Sequence, residues 1–570
     1  MSKRDGLDWG ALRTHIASHA QTANGREVLL SLRPLQKLSD VHWSLEAITE
    51  NNALDSEGQK LTLKGVEDFA AHASRASIGV VLENKDLLMV ANSVERISQT
   101  ARVLFRIRKT APTLASLEPD LDEATLTAGE LYGAFNTSGD LCAKRFPELR
   151  TLRQDLSRLH RSIRTTLDDM VGSTALDSAL QERFITTRRD RYVIPVRANF
   201  RSQVPGIVHG VSGSGATLFI EPQAVVALNN RLRVKESELN AAEAVIRKTL
   251  SKTVGEQEEP LQRALNATFL LDIVLAKSAF GRSLNATRPV VEEQGVINLI
   301  AARHPLLTIG QGDVVPNDIQ ITSQKRALIA VGPNAGGKTI TLKTTGLAVQ
   351  LVRHGLFVPA EDGSRVDLFQ DVFTVIGDNQ AVIEGTSSFS SHLLAIKNIL
   401  EKASDKSLVL LDELGSGTDP SQGGALARAT IETLLEKGAR LVVTTHLSQP
   451  KTLASSHPNC EVAAMEYRDD APTYRLLIGR TGESHAISTA IRLGIPNQIT
   501  DRARSLLNTP ERALVDALSS VERQGQELDA REEELDARTK KIIEAERRLA
   551  VQTETITLQK KRLEKEIYMN

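Results

Sequence analysis

The residues that decide the fold are Gly332-Pro333-Asn334-Ala335-Gly336-Gly337-Lys338-Thr339. They follow an apolar run at residues 327–331 and precede a helix-like segment at residues 340–351. Strand, glycine-rich loop and helix are the context in which the pattern G-x-x-x-x-G-K-[ST] holds a phosphate chain. The glycines let backbone N–H groups turn inward on the phosphates, and the helix adds its positive N-terminal end. Lys338 can then reach the β- and γ-phosphates of ATP, and the Thr339 hydroxyl can ligate Mg²⁺, so all eight residues are candidate ATP-binding residues.

Two further apolar runs end in polar residues of the kind that such a site needs. Residues 407–411 precede Asp412 and Glu413, and residues 441–445 precede His446. Asp412 fits the carboxylate that holds Mg²⁺ after a strand, and Glu413 fits a general base or water-positioning group. We expect His446 to contact the γ-phosphate, the alternative being a polar cap of its strand. The pattern therefore predicts a Mg²⁺-dependent ATP hydrolase with Glu413 and His446 as its catalytic residues.

The distribution of apolar residues predicts the fold class. Strand-like and helix-like runs alternate from about residue 296 to residue 505, which favours an α/β unit with a largely parallel sheet. Residues 297–300 and 319–321 are predicted strands ahead of the glycine-rich stretch. Residues 1–140 instead show helical spacing without strand-like alternation. The predicted class is therefore α + α/β, with a helical core at residues 1–140 and a P-loop domain at residues 291–508.

The segment between these two domains, residues 141–290, combines long helices with a short β-rich part. Runs of β-branched residues at about 185–222 are broken by Gly and Pro, which predicts a small sheet. Helical patterns flank this part on both sides. We therefore expect lever helices that carry a small clamp-like sheet.

One of these helical patterns, residues 144–169, carries arginines on the side opposite its leucines. At about 100° per residue they form a stripe, which consists of Arg150, Arg153, Arg158, Arg161 and Arg164. A basic stripe can follow the phosphate backbone of a nucleic acid. The solvated face of a packed helix explains the stripe equally well, and both interpretations stay open.

Residues 509–570 are predicted to form one long helix with an apolar residue at every seventh position. The series consists of Leu514, Val521, Leu528, Leu535, Ile542, Leu549, Ile556 and Leu563. The positions four residues further on are mostly polar, whereas a stable coiled coil needs both seam positions apolar. We expect a weak or partner-dependent coiled coil, with a single solvated helix as the alternative.

Composition limits the classes of protein that remain. The chain has 71 acidic and 70 basic residues, so its net charge says nothing about a nucleic-acid partner. Aromatic residues make up 4% of the chain, which argues against a site built on base stacking. The two cysteines, Cys142 and Cys460, lie too far apart in sequence for a metal motif and make no disulfide framework. No apolar run approaches the roughly 18 residues of a membrane span, so we expect a cytoplasmic protein without membrane contact.

Taken together, the motifs resemble the MutS family of ABC-type ATPases. The matching segments are residues 332–339, 387–389, 411–420 and 444–446, preceded by Ala302-Arg303-His304-Pro305. Two further segments, residues 191–196 and 215–223, resemble the MutS2 branch, which lacks mismatch recognition. The resemblance covers nearly all of residues 10–560 and implies that the P-loop domain is of the ABC type.

The resemblance assigns further residues to the ATP site. In that family the ATPase domains pair head to tail, which implies a homodimer here. It implies that Ser387 and Ser388 approach the γ-phosphate bound by the other subunit. It also places Val314 or Val315 where the family covers the adenine. The expected ligands are ATP and Mg²⁺.

The resemblance also implies what the lever helices bind. The MutS2 branch implies branched DNA, such as recombination intermediates, gripped by a nucleotide-switched dimeric clamp that suppresses homologous recombination. The alternative attached to the same branch is an ATPase that binds ribosomes and their rRNA and splits stalled or collided ribosomes. The branch usually ends in a small nuclease domain with a His-Gly-x-Gly-Thr-Gly motif. No such motif follows the predicted coiled coil, so we expect no nuclease activity from these residues.

Overall fold

The computed structural model describes residues 6–311, 313–332, 337–377, 388–468, 471–480, 494–506 and 538. These residues fall into two compact units, which we call the helical unit and the α/β unit. The helical unit comprises residues 8–289 and 350–359, and the α/β unit comprises the other described residues. The mixture of helices and sheets predicted from the sequence is confirmed. The predicted coiled coil at residues 509–570 lies outside the described residues apart from Arg538.

Helices dominate the helical unit. In chain order they are α1 (Trp9–Ser18), α2 (Ala23–Leu30), α3 (Leu38–Ser56), α4 (Ala70–Ser77), α5 (Asn84–Ile107), α6 (Pro112–Ala115), α7 (Glu118–Asp122), α8 (Ala124–Leu131), α9 (Pro147–Gly172), α10 (Gln223–Glu256) and α11 (Glu258–Ser283). The predicted helical core and the predicted lever helices therefore lie in the same unit.

α11 is the core helix of this unit. By length and composition alone it is apolar enough to cross a membrane, but 72% of the qualifying window is buried inside the protein. Its Asp272 is fully buried and accepts hydrogen bonds from the backbone N–H groups of Gln21 and Thr22 at 2.9 and 2.8 Å. The Thr22 hydroxyl donates to the same carboxylate at 2.6 Å and accepts from the Gly25 N–H, which caps α2. One buried carboxylate thus fixes the start of α2 on the core helix.

A buried polar cluster in the helical unit contains two bases whose charged forms are disfavoured. Lys277 on α11 donates a hydrogen bond to Ser44 Oγ at 3.0 Å, and burial lowers the pKa of Lys277 to about 7. His354 stacks on Trp9 with their ring centroids 4.5 Å apart. Burial lowers the pKa of His354 to about 4, so its ring is neutral at physiological pH.

We expect His354→Gln to remove part of the acid sensitivity of the protein. The unfolded ring titrates near pH 6.5 and the folded ring near 4, so the unfolded chain binds more protons between these values. The contribution of the neutral ring to the free energy of unfolding is therefore complete above pH 6.5 and falls as the pH approaches 4. The loss is about 3 kcal/mol at most. In urea unfolding at about pH 7 and about pH 4.5, the variant should lose less unfolding free energy than the wild type. His15→Gln, at an exposed position of α1, is the matched control, and equal losses in wild type and His354→Gln would contradict the assignment.

α9 and α10 pack along each other, and the chain between them forms a small antiparallel sheet, the clamp sheet. Its strands are β1 (Thr186–Arg188), β2 (Arg191–Arg197), β3 (Gly206–Val211) and β4 (Thr217–Pro222), in the order β1-β2-β4-β3. Leu156 and Ile163 of α9 share one hydrophobic cluster with Ile194 of β2, Ile220 of β4 and Leu232 of α10. The two helices and the clamp sheet therefore fold around a common core.

Glu221 ties the clamp sheet to α10 from within. Its side chain is fully buried and accepts hydrogen bonds from Arg191 and Asn229, both at 2.8 Å. The third neighbour is His209, whose Nε2 lies 2.6 Å from the same carboxylate. Because a buried carboxylate is tolerated only when its partners are in place, this cluster fixes the sheet on the helix.

The α/β unit contains two sheets. A six-stranded sheet has the order β13-β12-β7-β11-β10-β9, and a three-stranded antiparallel sheet has the order β6-β5-β8. The strands are β5 (Ile297–Ala302), β6 (Asn317–Ile321), β7 (Ala327–Val331), β8 (Arg365–Val366), β9 (Asp371–Val375), β10 (Ser407–Leu411), β11 (Arg440–Thr445), β12 (Cys460–Arg468) and β13 (Ala471–Ile478). The helices are α12 (Pro305–Gln311), α13 (Lys338–Arg353), α14 (Ser388–Lys402), α15 (Pro420–Glu436), α16 (Ser448–Ser456) and a last helix, Asn497–Leu506.

The six-stranded sheet is largely parallel, as the sequence predicts. Its strands run parallel from β12 to β9, and only the edge strand β13 pairs antiparallel. β7, β10 and β11 are buried along their whole length, which explains why they are continuous apolar runs rather than alternating ones. The strands predicted at residues 297–300 and 319–321 are present as β5 and β6, but they belong to the separate small sheet.

Candidate nucleotide-binding site

The three motifs of the predicted site meet at one edge of the six-stranded sheet. β11 lies between β7 and β10, with Thr445 opposite Val331 and Val443 opposite Leu411. Because the three strands are parallel, their carboxyl ends lie side by side. The segments that follow them begin at Gly332, Asp412 and His446, so the topology brings the distant motifs together at the edge where open α/β sheets bind ligands.

The described part of the glycine-rich stretch has the features of a phosphate-binding loop. Gly332 and Gly337 have φ values of 128° and 103°, which side chains other than glycine rarely adopt. Lys338 is 2% exposed and donates a hydrogen bond to the Gly332 carbonyl. Burial lowers the pKa of Lys338, with a smaller opposing effect from Glu413 and Asp412, so a bound phosphate would favour its charged form. Residues 333–336 lie outside the described residues.

A hydroxyl and a carboxylate suited to Mg²⁺ face each other at this edge. Thr339 Oγ1 lies 3.0 Å from Asp412 Oδ2, and Asp412 is 6% exposed. The hydroxyl of Thr444, at the end of β11, donates to the other carboxylate oxygen of Asp412. Hard oxygen ligands from one hydroxyl and one carboxylate are what Mg²⁺ takes in sites completed by phosphates and water, so Thr339 and Asp412 fit this ion.

Glu413 is held in a backbone conformation that is rare for its residue type. Its φ is 50°, in the left-handed region, and its backbone N–H donates to Thr444 Oγ1 at 2.9 Å. Thr444 is fully buried, and its hydroxyl joins two neighbouring residues: it donates to the Asp412 carboxylate and accepts from the Glu413 backbone N–H. Such strain persists only where the surroundings enforce it, and it clusters at functional sites. Residues 444–446 belong to the segments that resemble the family, but the sequence analysis assigns Thr444 no role in the site.

We expect Thr444→Val to reduce turnover more than it reduces ATP binding. Valine keeps the shape of the side chain but leaves Asp412 and the Glu413 N–H without their shared partner. A hydrogen bond to a charged group is worth about 1.5–3 kcal/mol, so kcat should fall roughly tenfold to a hundredfold. Steady-state ATPase assays measure the effect, and Thr433→Val, on the exposed side of α15, is the control. Unchanged kcat in Thr444→Val would show that Thr444 does not position the carboxylates.

His446 follows β11 directly and is exposed at this edge. Its ring makes no hydrogen bond with any residue that the structure describes. The position is compatible with contact to a terminal phosphate, and the contact itself stays a prediction.

A cavity of about 520 Å³ opens beside the glycine-rich stretch. Val314 and Val315, the expected adenine cover, both line it, as do Thr339 and Ile340 from the start of α13. Tyr474 of β13 lines the same cavity, and a Cβ at Gly337 would lie 3.5 Å from its ring. The cavity thus extends from phosphate-binding residues to apolar side chains, and its volume is in the range of small-molecule sites.

Two residues of this pocket, Asn317 and Tyr474, were assigned no role in the site from the sequence. Tyr474 has a φ of 63°, another left-handed non-glycine conformation. Asn317 of β6 fixes the backbone on both sides of residue 475. Its side-chain NH₂ group donates to the Tyr474 carbonyl at 3.0 Å, and its side-chain carbonyl accepts from the Leu476 N–H at 2.6 Å. Tyr474 belongs to a segment, residues 474–476, that resembles the C-terminal part of the family's ATPase domain, whereas Asn317 lies in no such segment. The two residues are far apart in sequence, and only the fold brings them together.

The predicted contact to a partner subunit falls mostly outside the described residues. Ser387 lies outside them, and α14 begins at Ser388, whose side chain is not among those described. The role of both serines therefore stays a prediction.

The arginine stripe lies on α9 of the helical unit. Arg150, Arg158, Arg161 and Arg164 are exposed. Arg158 pairs with Asp155 at 2.8 Å, and Arg164 lies 4.0 Å from Asp168. Arg153 is only half-exposed: it bonds Glu243 of α10 at 3.0 Å and the Leu141 carbonyl at 2.9 Å. Within the described residues, only Arg150 and Arg161 of the stripe have no ion pair.

The family MutS domain V matches residues 328–511 of this chain. The matched range begins in β7 and contains Lys338, Asp412, Glu413, Thr444 and His446.

Relatives extend the similarity to most of the chain. The Endonuclease MutS2 of Geobacillus thermodenitrificans (strain NG80-2) is 38% identical over 534 residues, which cover 92% of this chain and 68% of the relative. The protein of the same name from Pelotomaculum thermopropionicum is 37% identical over 537 residues, covering 92% and 67%. That of Geobacillus kaustophilus (strain HTA426) is 37% identical over 560 residues, covering 96% and 70%.

Proposed function

Because the chain belongs to the MutS2 branch of the MutS family, we propose that it is a Mg²⁺-dependent ATPase whose nucleotide state controls a dimeric clamp on DNA. Membership of the family establishes the ATPase class. The metal ion, the dimer, the nucleic acid and the control of recombination are the proposed parts. The relatives carry the printed name endonuclease, and for this chain we propose ATP hydrolysis alone.

The observation that carries the proposal is the cluster around Thr444. Its hydroxyl joins Asp412, which faces Thr339, to the backbone of Glu413. These groups come from the start of α13, the end of β10 and the end of β11; Thr339 and Asp412 are 73 residues apart along the chain, and Asp412 and Thr444 are 32 residues apart. An arrangement that brings the Asp412 carboxylate, the Thr339 hydroxyl and the backbone of Glu413 together at a sheet edge with a buried lysine supports phosphoryl transfer from ATP to water.

Each residue has one task in this reaction. The glycine-rich stretch and Lys338 bind the phosphate chain, and Thr339 with Asp412 would hold Mg²⁺, which neutralises charge on the phosphate oxygens. Glu413, fixed by its backbone, orients the attacking water and accepts its proton. The pocket formed with Val314 and Tyr474 holds the base.

The dimer follows from the family rather than from a described contact. Ser387 and Ser388 of one subunit would approach the γ-phosphate bound by its partner. ATP would then join the two subunits, and hydrolysis would remove the γ-phosphate contacts and let the clamp open.

The nucleic acid that we propose is branched DNA, such as a recombination intermediate, and the consequence is suppression of homologous recombination. The exposed arginines of α9 support a polyanionic partner in general. They fit rRNA equally well, so a ribosome-splitting activity is the alternative outcome of the experiment below.

We expect Arg161→Gln to weaken binding to all sequences of the nucleic acid alike. Arg161 is exposed and has no ion pair among the described residues, so its charge is available to a phosphate. The slope of log K against log salt should become shallower by about 0.9. Anisotropy titrations of labelled DNA over a salt series measure it, and Arg26→Gln, an exposed arginine of α2, is the control. An unchanged slope in Arg161→Gln would mean that this face of α9 is merely solvated.

The experiment that tests the proposed function is the ATPase rate in one buffer at fixed salt. Four-way junction DNA, matched linear duplex and collided ribosomes are added in parallel. We expect the junction to change the rate and the duplex to change it less. A response to ribosomes alone would move the function to translation quality control, and no ATP hydrolysis under any condition would overturn the proposal.

A further inference from the structure

Lys451 is a half-buried lysine of α16 that the reaction described above does not use. Its ammonium group makes no hydrogen bond or ion pair with any residue that the structure describes. Exposed lysines need no partner, but a cation withdrawn from water is costly unless an anion compensates it. The position of Lys451 indicates which anion that is.

The topology places Lys451 beside the nucleotide site. α16 begins at Ser448, two residues after His446, and follows β11 without a long loop. β11 lies between the strand that leads to the glycine-rich stretch and the strand that leads to Asp412 and Glu413. The end of β11 therefore lies between the glycine-rich stretch and the segment that contains Asp412 and Glu413. In sites of this kind the terminal phosphate of ATP lies there.

The turn into α16 is fixed. The Leu447 N–H donates to Thr445 Oγ1 at 3.1 Å, and Leu447 is 6% exposed. Lys451 lies in the first turns of the helix that begins there, so its four-carbon stem can carry the ammonium group back towards the sheet edge.

The charges around Lys451 are consistent with this placement. Burial lowers the pKa of Lys451, with no acidic group acting in the opposite direction. Burial is also the main cause that lowers the pKa of Lys338, and the like charge of Lys451 adds to it. Asp412 is already engaged by Thr339 and Thr444. Among the described residues no acidic group compensates Lys451, and a bound triphosphate would bring that counter-charge.

We propose that Lys451 is a second phosphate-binding lysine, whose counter-ion is the γ-phosphate of ATP. This inference rests on the proposed function and adds a residue that distinguishes the triphosphate from the diphosphate. In the proposed site Lys338 contacts the phosphates that ATP and ADP share as well as the γ-phosphate, whereas Lys451 lies on the helix that begins two residues after His446. ATP should therefore gain more from Lys451 than ADP does.

The test compares Lys451→Met with the wild type in its affinity for ADP and for a non-hydrolysable ATP analogue, each with Mg²⁺. Methionine keeps the length and the apolar stem and removes the charge. We expect the variant to bind the ATP analogue about tenfold more weakly, with the affinity for ADP changed less than about twofold. Lys451→Arg should restore most of the loss because it restores the charge. Lys437→Met, an exposed lysine at the end of α15, is the matched control.

Two results overturn the inference. One is that Lys451→Met binds both nucleotides as tightly as the wild type does, and the other is that it loses affinity for both by the same factor. In either case the proposed function stands as long as the wild type binds and hydrolyses ATP. A wild type that binds neither nucleotide would overturn the proposed function and this inference with it.

Discussion

Replacing Glu413 with alanine should leave ATP bound but almost stop its hydrolysis. The backbone of Glu413 is held by Thr444 in a left-handed conformation, which sets the direction of its Cα–Cβ bond. A positioned general base contributes about 10²- to 10⁴-fold to the rate, and kcat should fall by that factor. The phosphate-binding residues and the base pocket are untouched, so the affinity for ATP should change less than about threefold.

The same variant should accumulate the ATP-bound dimer. Single-turnover hydrolysis measures the chemical step, and light scattering in ATP measures the mass of the complex. Glu436→Ala, at an exposed position at the end of α15, is the matched control. Normal turnover in Glu413→Ala would remove Glu413 from the mechanism and leave the attacking water without an assigned partner.

Replacing Lys338 with alanine should have the opposite signature, a loss of nucleotide binding. Lys338 is 2% exposed, and its ammonium group lies at the Gly332 carbonyl at the start of the glycine-rich stretch. Losing a charge-assisted hydrogen bond costs about 1.5–3 kcal/mol, which weakens ATP binding roughly tenfold to a hundredfold. Titration with a fluorescent ATP analogue measures the dissociation constant.

The unfolding temperature shows whether Lys338→Ala loses ATP binding because the phosphate contact is gone or because the protein unfolds. Burial lowers the pKa of Lys338, which means that its charge costs free energy in the folded protein without ligand. We therefore expect the unfolding temperature of Lys338→Ala without nucleotide to be no lower than that of the wild type. Lys402→Ala, at the exposed end of α14, controls for the loss of a lysine. Wild-type affinity for ATP in Lys338→Ala would contradict the placement of the phosphates.

The local motifs were the part of the site that the sequence predicts best. A phosphate loop, a carboxylate pair after a buried strand and a histidine after another strand are each defined by near neighbours along the chain. The roles of these residues can therefore be predicted from short segments of sequence. The parallel sheet then places Lys338, Asp412, Glu413 and His446 at one edge.

The connecting residues could not be predicted in this way. Thr444 acts on Asp412 and Glu413 only because β11 lies next to β10 in a particular register. Asn317 and Tyr474 meet because β6 of the small sheet approaches β13 of the large one. These relations depend on tertiary contacts, which no local pattern encodes.

Helical spacing overstated the arginine stripe for a similar reason. It places Arg153 on the same face as Arg161, and both lie on α9 as expected. However, Glu243 from α10, ninety residues further along the chain, takes the charge of Arg153. A helical-wheel projection of one helix carries no information about the helix that packs against it. The number of arginines whose charge is not already paired is therefore smaller than the spacing suggests.

The measurement that tests the central claim most directly is the affinity for four-way junction DNA in two nucleotide states. Wild-type protein is titrated with the labelled junction at fixed salt, once with Mg²⁺ and a non-hydrolysable ATP analogue and once with Mg²⁺ and ADP. If nucleotide state controls the clamp, the two affinities should differ by about 5- to 150-fold, the range of typical allosteric coupling. Equal affinities in the two states would contradict the account, because hydrolysis at the Glu413 site would then have nothing to switch.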